Sequence, residues 1–105
     1  MGIIGIIQGL PSNAINFAIS NQLIRSATSV GANYRAACRA KSGPDFINKL
    51  KIVEEEADET LYWFEILEES TIVNPENLIA IKKEVNEIIS MVVASIKTLR
   101  LKGTQ

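Results

Sequence analysis

Three groups of side chains in this sequence have the residue types and spacings that chemistry uses. The first is a run of acids, Glu54, Glu55, Glu56, Asp58 and Glu59, of the kind that helical metal sites recruit. The second is a scatter of nucleophilic types, Ser26, Thr28, Ser29 and Cys38. The third is a basic set, Arg35, Arg39 and Lys41 at near-helical spacing with Lys49 and Lys51 following just past a turn, which suits contacts with phosphates. Each group needs partners. Carboxylate metal sites in helical bundles take Glu-x-x-His pairs from two of their helices, and the chain has no histidine. The same absence removes the usual base that activates a hydroxyl or thiol. A cysteine on an apolar helix face is more often an inert small hydrophobe than a nucleophile. The residue types therefore point away from an enzyme, a metal or any other cofactor. The basic set remains as a candidate nucleic-acid contact, with a solvated face of mixed charge as its plainer reading.

The elements that must carry these residues are helical. Leu10-Pro11 closes a first segment of isoleucine and glycine, expected as a short helix over about residues 2–9. Glycines at 2, 5 and 9 weaken it by roughly 1 kcal/mol each relative to alanine, so packing must hold it. With Ser12 or Asn13 as cap, a second helix is expected over about 13–40. Along it Ile15, Ile19, Leu23, Ala27, Val30, Tyr34 and Cys38 recur at steps of three and four, the spacing of one helical face. Small residues crowd beside that stripe, among them Ser26, Ser29, Ala32, Ala36, Ala37 and Ala40, and let another helix approach closely. Gly31 in mid-helix is expected at a crossing point.

Ser42-Gly43-Pro44-Asp45 is the clearest punctuation: a cap, a preset φ in the first turn and a carboxylate at the positive pole of the dipole. The third helix, expected over about 44–69, has Phe46, Leu50, Val53, Ala57, Leu61, Phe64 and Leu67 on one stripe. Ile47, Ile52, Tyr62, Trp63 and Ile66 lie outside it, and a helix apolar on more than one face buries more than one face. Asn74-Pro75-Glu76 repeats the start signal. Leu78, Ile81, Val85, Ile88, Val92, Ile96 and Leu99 then carry a last helix over about 75–101, with Lys97, Arg100 and Lys102 complementing its negative pole. Helices of about 25 residues are roughly 38 Å long. Matched lengths and short loops are the pattern of an all-α, up-down antiparallel bundle, and 105 residues suffice for one domain spanning 1–105.

Charge is segregated along the chain although the net value is −1. Residues 1–53 carry six bases against Asp45 alone, residues 54–76 carry nine acids and no base, and the remainder carries five bases against Glu84 and Glu87. The overall balance thus says nothing about partners, whereas individual faces do. A single cysteine excludes an intrachain disulfide and suits a reducing compartment. The apolar start, MGIIGII, has no basic flank or cleavage site and falls far below the ~18–20 apolar residues of a membrane span. A cytoplasmic protein with no membrane contact is expected.

Two further constellations are structural. Glu56 and Glu59 stand one turn apart, and Arg25, near the small-residue face, is the expected partner in a buried or half-buried ion pair. Tyr62 and Trp63, with Ile66, are expected at an oligomer contact, because aromatics concentrate in interface cores.

The stretch from Arg25 to Trp63 also resembles a family of small bacterial four-helix bundle proteins, including those encoded in intervening sequences of large-subunit ribosomal RNA genes. The matching residues are Asn21-Gln22-Leu23-Ile24-Arg25-Ser26, Ser29-Val30-Gly31-Ala32-Asn33-Tyr34-Arg35, Ala37 and Arg39-Ala40 on one arm. On the other they are Asp45-Phe46-Ile47, Lys49-Leu50, Glu56, Glu59-Thr60 and Tyr62-Trp63. The resemblance spans about residues 15–100. It implies a four-helix bundle that assembles as a ring-like homopentamer, with a biochemical role that is poorly defined. A more distant similarity is to the accessory protein of diversity-generating retroelements, a basic pentamer that binds a reverse transcriptase and nucleic acid. Family members have a full first helix where this chain has only about ten residues before Pro11, so a short or truncated first helix is expected. Two functions follow as expectations: a non-enzymatic oligomeric scaffold that presents surfaces to a protein or nucleic-acid partner, or a nucleic-acid-binding accessory that uses the basic set.

Overall fold

The structure, a computed structural model, describes residues 2–103. Its elements are α1 (Ile3–Gln8), α2 (Ala14–Cys38), α3 (Gly43–Glu69), a 3-10 turn (Pro75–Leu78) and α4 (Ile79–Gly103). The fold is all-α with one short first helix and three long ones. Their starts follow the punctuation. The Asn13 side chain accepts from Asn16 N at 2.8 Å, Ser42 Oγ accepts from Asp45 N at 3.2 Å, and Asn74 Oδ1 accepts from Glu76 N at 3.2 Å. The last start differs from expectation: its first turn winds as a 3-10 helix before α4 begins. Asn74 bonds only two residues ahead, and Asn77 N closes back on Asn74 O, which tightens that turn. At the end of α3, Thr71 takes a left-handed backbone (φ 55°) while Ile72 N reaches Leu67 O at 3.0 Å. This six-to-one closure turns the chain sharply and lays Ile72 and Val73 on the core.

α3 is the central element, with α2 and α4 both packed against it. Across α2 and α3, Ser26 meets Thr60, while Ala37, farther along α2, clusters with Leu50 and Val53 near the start of α3. Across α3 and α4, Glu68 meets Lys82, while Leu50 and Val53 cluster with Val92 and Ile96. In both pairs later residues of one helix meet earlier residues of the other. The molecule is 53 Å long and 22 by 19 Å across.

The core has two parts. The first gathers Ile6 of α1, Ile19 and Leu23 of α2, Ala57, Phe64 and Leu67 of α3, and Leu78, Ile81 and Val85 from the last segment. The second, formed by Ala37, Leu50, Val53, Val92 and Ile96, draws on α2, α3 and α4 only. Packing thus rescues the glycine-weakened α1, whose Ile6 is buried and whose Ile3 and Ile7 rest on the first core. The far half of the molecule has no such cover, and Val30, Phe46, Ile88 and Leu99 stay partly exposed there.

The stripe read along α2 is rotated from the face that is buried. Asn16, Ile19, Leu23, Ser26 and Ala37 point inward, whereas Ile15, Tyr34 and Cys38 are exposed. The cause is a helix apolar over more than one face: two three-and-four registers run along it, and the contact with α3 selects the one through Leu23 and Ser26. Gly31 is likewise not at a crossing point within the chain. It is exposed, and a Cβ built there meets nothing within 4 Å. Gly31→Ala is therefore expected to stabilise the isolated chain by about 0.5–1 kcal/mol, measured by urea unfolding at high dilution. Destabilisation instead would reveal a neighbour over that position.

Candidate functional site

The basic set surrounds the α2–α3 turn. Arg35 lies in the last turn of α2 and Arg39 is its C-terminal cap, both exposed, and Lys41 is exposed in the turn itself. The turn is held by Asp45, whose Oδ2 accepts from the Lys41 backbone N–H at 3.4 Å while its own N–H donates to Ser42. Lys49 is partly buried and Lys51 exposed. Two residues apart on a helix means about 200° apart around it, so the five cations do not share one face and instead ring the end of the helix pair. Among the described residues none of the five side chains has an ion-pair partner.

Farther along, the Arg25 guanidinium meets Glu56 Oε2 at 3.1 Å through one nitrogen and Glu59 Oε2 through the other, and its Nε donates to Gln22 at 3.2 Å. Arg25 reaches across from α2 to bind both acids one turn apart on α3. Its side chain is 47% exposed, those of Glu56 and Glu59 22% and 36%, so the cluster stands at the surface rather than inside. The bond to Glu59 leads the effects that raise the Arg25 pKa above the ordinary arginine value, against an opposing desolvation; the charge of Glu59 and the contact with Glu56 add to the rise. A raised arginine pKa leaves its stabilisation intact below the unfolded value and loses it only as pH climbs through the folded one. The cluster therefore fastens α2 to α3 throughout the neutral range without sensing pH through Arg25.

Directly beneath it, Thr60 Oγ1 lies 2.9 Å from Ser26 Oγ and 2.8 Å from the Glu56 carbonyl, and Ser26 Oγ lies 3.3 Å from the Leu23 carbonyl. Both residues are buried, and each hydroxyl proton has an acceptor, so this is a satisfied polar contact between close helices. It explains the small residue at position 26 better than nucleophilic chemistry does. Thr28 donates to the Ile24 carbonyl at 2.7 Å, Ser29 Oγ accepts from Asn33 at 3.0 Å, and Cys38 is a free, exposed thiol. Among the described residues no His, Cys, Asp or Glu group is arranged to hold a metal, and no helix is long and apolar enough to cross a membrane.

Of the three residues expected at an oligomer contact, Trp63 and Ile66 pack against the first core and Tyr62 remains 51% exposed, its ring edge-on to Trp63 with centroids 5.0 Å apart. The second apolar face of α3 is thus largely filled from within the chain. Uncovered apolar surface also lies on α2, where Phe17 is 69%, Ile24 42% and Tyr34 43% exposed. Sequence reading missed this seam, although its signal is present: Phe17, Ser20, Ile24, Ala27, Gly31, Tyr34 and Cys38 alternate steps of three and four, a second register beside the one that is buried. It also missed Asn16, buried and donating from Nδ2 to the Pro11 carbonyl at 2.8 Å, which fixes the α1–α2 connection.

This arrangement has known counterparts. It is similar to the crystal structure, at 1.70 Å, of a protein with unknown function from the S23 ribosomal protein family of Bacteroides thetaiotaomicron VPI-5482, with a TM-score of 0.83 and 39% sequence identity over 90% of this chain and 88% of that one. No protein of curated function matches the chain. Residues 1–94 match the family described as 23S rRNA-intervening sequence protein. With most of its length so matched, the chain belongs to the 23S rRNA-intervening sequence protein family.

Proposed function

We infer that the protein is a non-enzymatic, cytoplasmic scaffold, a single-domain up-down antiparallel bundle that assembles with copies of itself, as a homopentameric ring by family resemblance. The observation that carries this reading is the α2 seam. Phe17, Ile24 and Tyr34 stand out along it, separated by Ser20, Ala27 and Gly31, and a three-and-four alternation of apolar and small residues is the pattern by which one helix admits another. A ring with an odd number of subunits uses two different patches per chain, and α4 also leaves Ile79, Met91 and Val93 at least 44% exposed, on different sides of the helix. Light scattering at micromolar concentration is expected to give several times the 11.5 kDa mass of one chain; a monomer mass would overturn the reading.

A second function, binding of nucleic acid through Arg35, Arg39, Lys41, Lys49 and Lys51, is favoured by one observation. These cations have no ion-pair partner among the described residues, so they are free to meet phosphates. A salt-dependent mobility shift of structured RNA, lost on Arg35→Glu with Arg39→Glu, is expected, and no shift at low salt would exclude it.

A further inference from the structure

The antiparallel packing brings the C-terminal end of α4 alongside the start of α3. Glu54 of α3 lines one shallow hollow together with Lys97 and Arg100 of α4, and Leu50 clusters with Ile96 close by. Lys97, Arg100 and Lys102, all exposed, therefore stand at the same end of the molecule as the cations of the α2–α3 turn. Eight of the eleven Lys and Arg side chains gather there, and none has an ion-pair partner among the described residues. The rest of the molecule differs. Before Arg25 the chain carries no charged side chain, Arg25 is held by Glu56 and Glu59, Lys82 is held by Glu68 at 3.1 Å, and Lys83 alone of the other three cations has no ion-pair partner among the described residues.

We propose that this whole end is one binding surface for a single strand of nucleic acid, with Lys97, Arg100 and Lys102 as its second wall beside the α2–α3 turn. This rests on the nucleic-acid reading above and extends it to a third helix. The three α4 cations exceed what a helix terminus uses. Two C-termini and one N-terminus meet at this end and leave roughly half a negative charge between them, small beside eight cations opposed by Asp45, Glu54 and Glu55. Asp45 is itself engaged by the turn. The cations ring the end instead of lying in a plane: Lys49 and Lys51 lie on opposite sides of α3, Arg35 and Arg39 are on α2, and the others are on α4. A flat bilayer reaches only one side of such a ring, and a flexible phosphate backbone follows it.

The test is a titration of labelled poly(U) RNA, read by fluorescence anisotropy across a salt series, with circular dichroism confirming that each variant keeps its helices. The wild type is expected to bind with a steep salt dependence. The variant Lys97→Gln, Arg100→Gln, Lys102→Gln is expected to flatten the log–log slope by about 2, at roughly 0.7 per lost single-strand contact. Arg35→Gln with Arg39→Gln is expected to flatten it by about 1.4 on the same scale. If the α2 pair flattens the slope and the α4 triple leaves it unchanged, the second wall is refuted and the narrower nucleic-acid reading stands. If the wild type fails to bind at low salt, both are refuted. If vesicles of phosphatidylserine and phosphatidylcholine compete as well as unlabelled RNA does, the surface recognises anionic membrane and the choice of nucleic acid is overturned.

Discussion

Phe64→Ala is expected to destabilise the protein by about 3–5 kcal/mol, the largest loss from any single truncation in this chain. Phe64 is fully buried, and the first core to which it belongs draws on every element, through Ile6, Leu23, Leu67, Leu78 and Val85. A void there is walled on all sides and cannot close by the drift of one helix. Domains of this size are stable by about 5–15 kcal/mol, so the substitution removes roughly a fifth or more of that margin and lowers Tm by ~12 °C or more. Urea unfolding followed by circular dichroism, at matched concentrations because assembly adds stability by mass action, checks it. Phe46→Ala is the informative contrast. Phe46 is partly exposed on the second core, which α1 does not cover, and its loss is expected to cost less than half as much. Equal costs would mean that the second core is closed over in solution.

The difference between the two cores explains how far the sequence was legible. Helix starts were readable because capping is local: Asn13, Ser42 and Asn74 each accept a backbone N–H two or three residues ahead. The α3 stripe was readable too, because Leu50, Val53, Ala57, Phe64 and Leu67 form one register and are all buried. α2 was ambiguous for a physical reason. It carries apolar or small residues in two registers, and only packing against α3 decides that Leu23 and Ser26 turn inward while Phe17, Ile24 and Tyr34 turn out.

The pairing of Arg25 with Glu56 and Glu59 was nameable because two acids one turn apart present a fork to a guanidinium. The hydroxyl contact between Ser26 and Thr60 was not, since it depends on how closely two distant segments approach. The basic end was legible only in part. Arg35 to Lys51 are consecutive in the chain, whereas Lys97 and Arg100 join them through topology. In a linear reading those two looked like nothing more than complements to a helix dipole.

Ile24→Glu is expected to leave the single chain folded and to abolish its assembly. Ile24 is 42% exposed and belongs to neither core, so a carboxylate there stays in water and unfolding in the dissociated state should shift by less than about 0.5 kcal/mol. At a helix–helix interface the same carboxylate would lose its hydration beside Ala27 and Gly31 with no cation in the seam. An uncompensated buried charge costs several kcal/mol. Even ~3 kcal/mol at one contact weakens it more than a hundredfold, and a ring multiplies the penalty by its number of contacts. The scattering mass is therefore expected to fall to that of one chain while helicity is unchanged. Phe17→Glu, on the same seam and 69% exposed, should act alike, whereas Ile15→Glu, equally exposed but off the seam, should leave the assembly intact. Dissociation by Ile15→Glu as readily as by Ile24→Glu would move the interface off the seam. Retention of the full mass by Ile24→Glu and Phe17→Glu would remove α2 from the interface altogether.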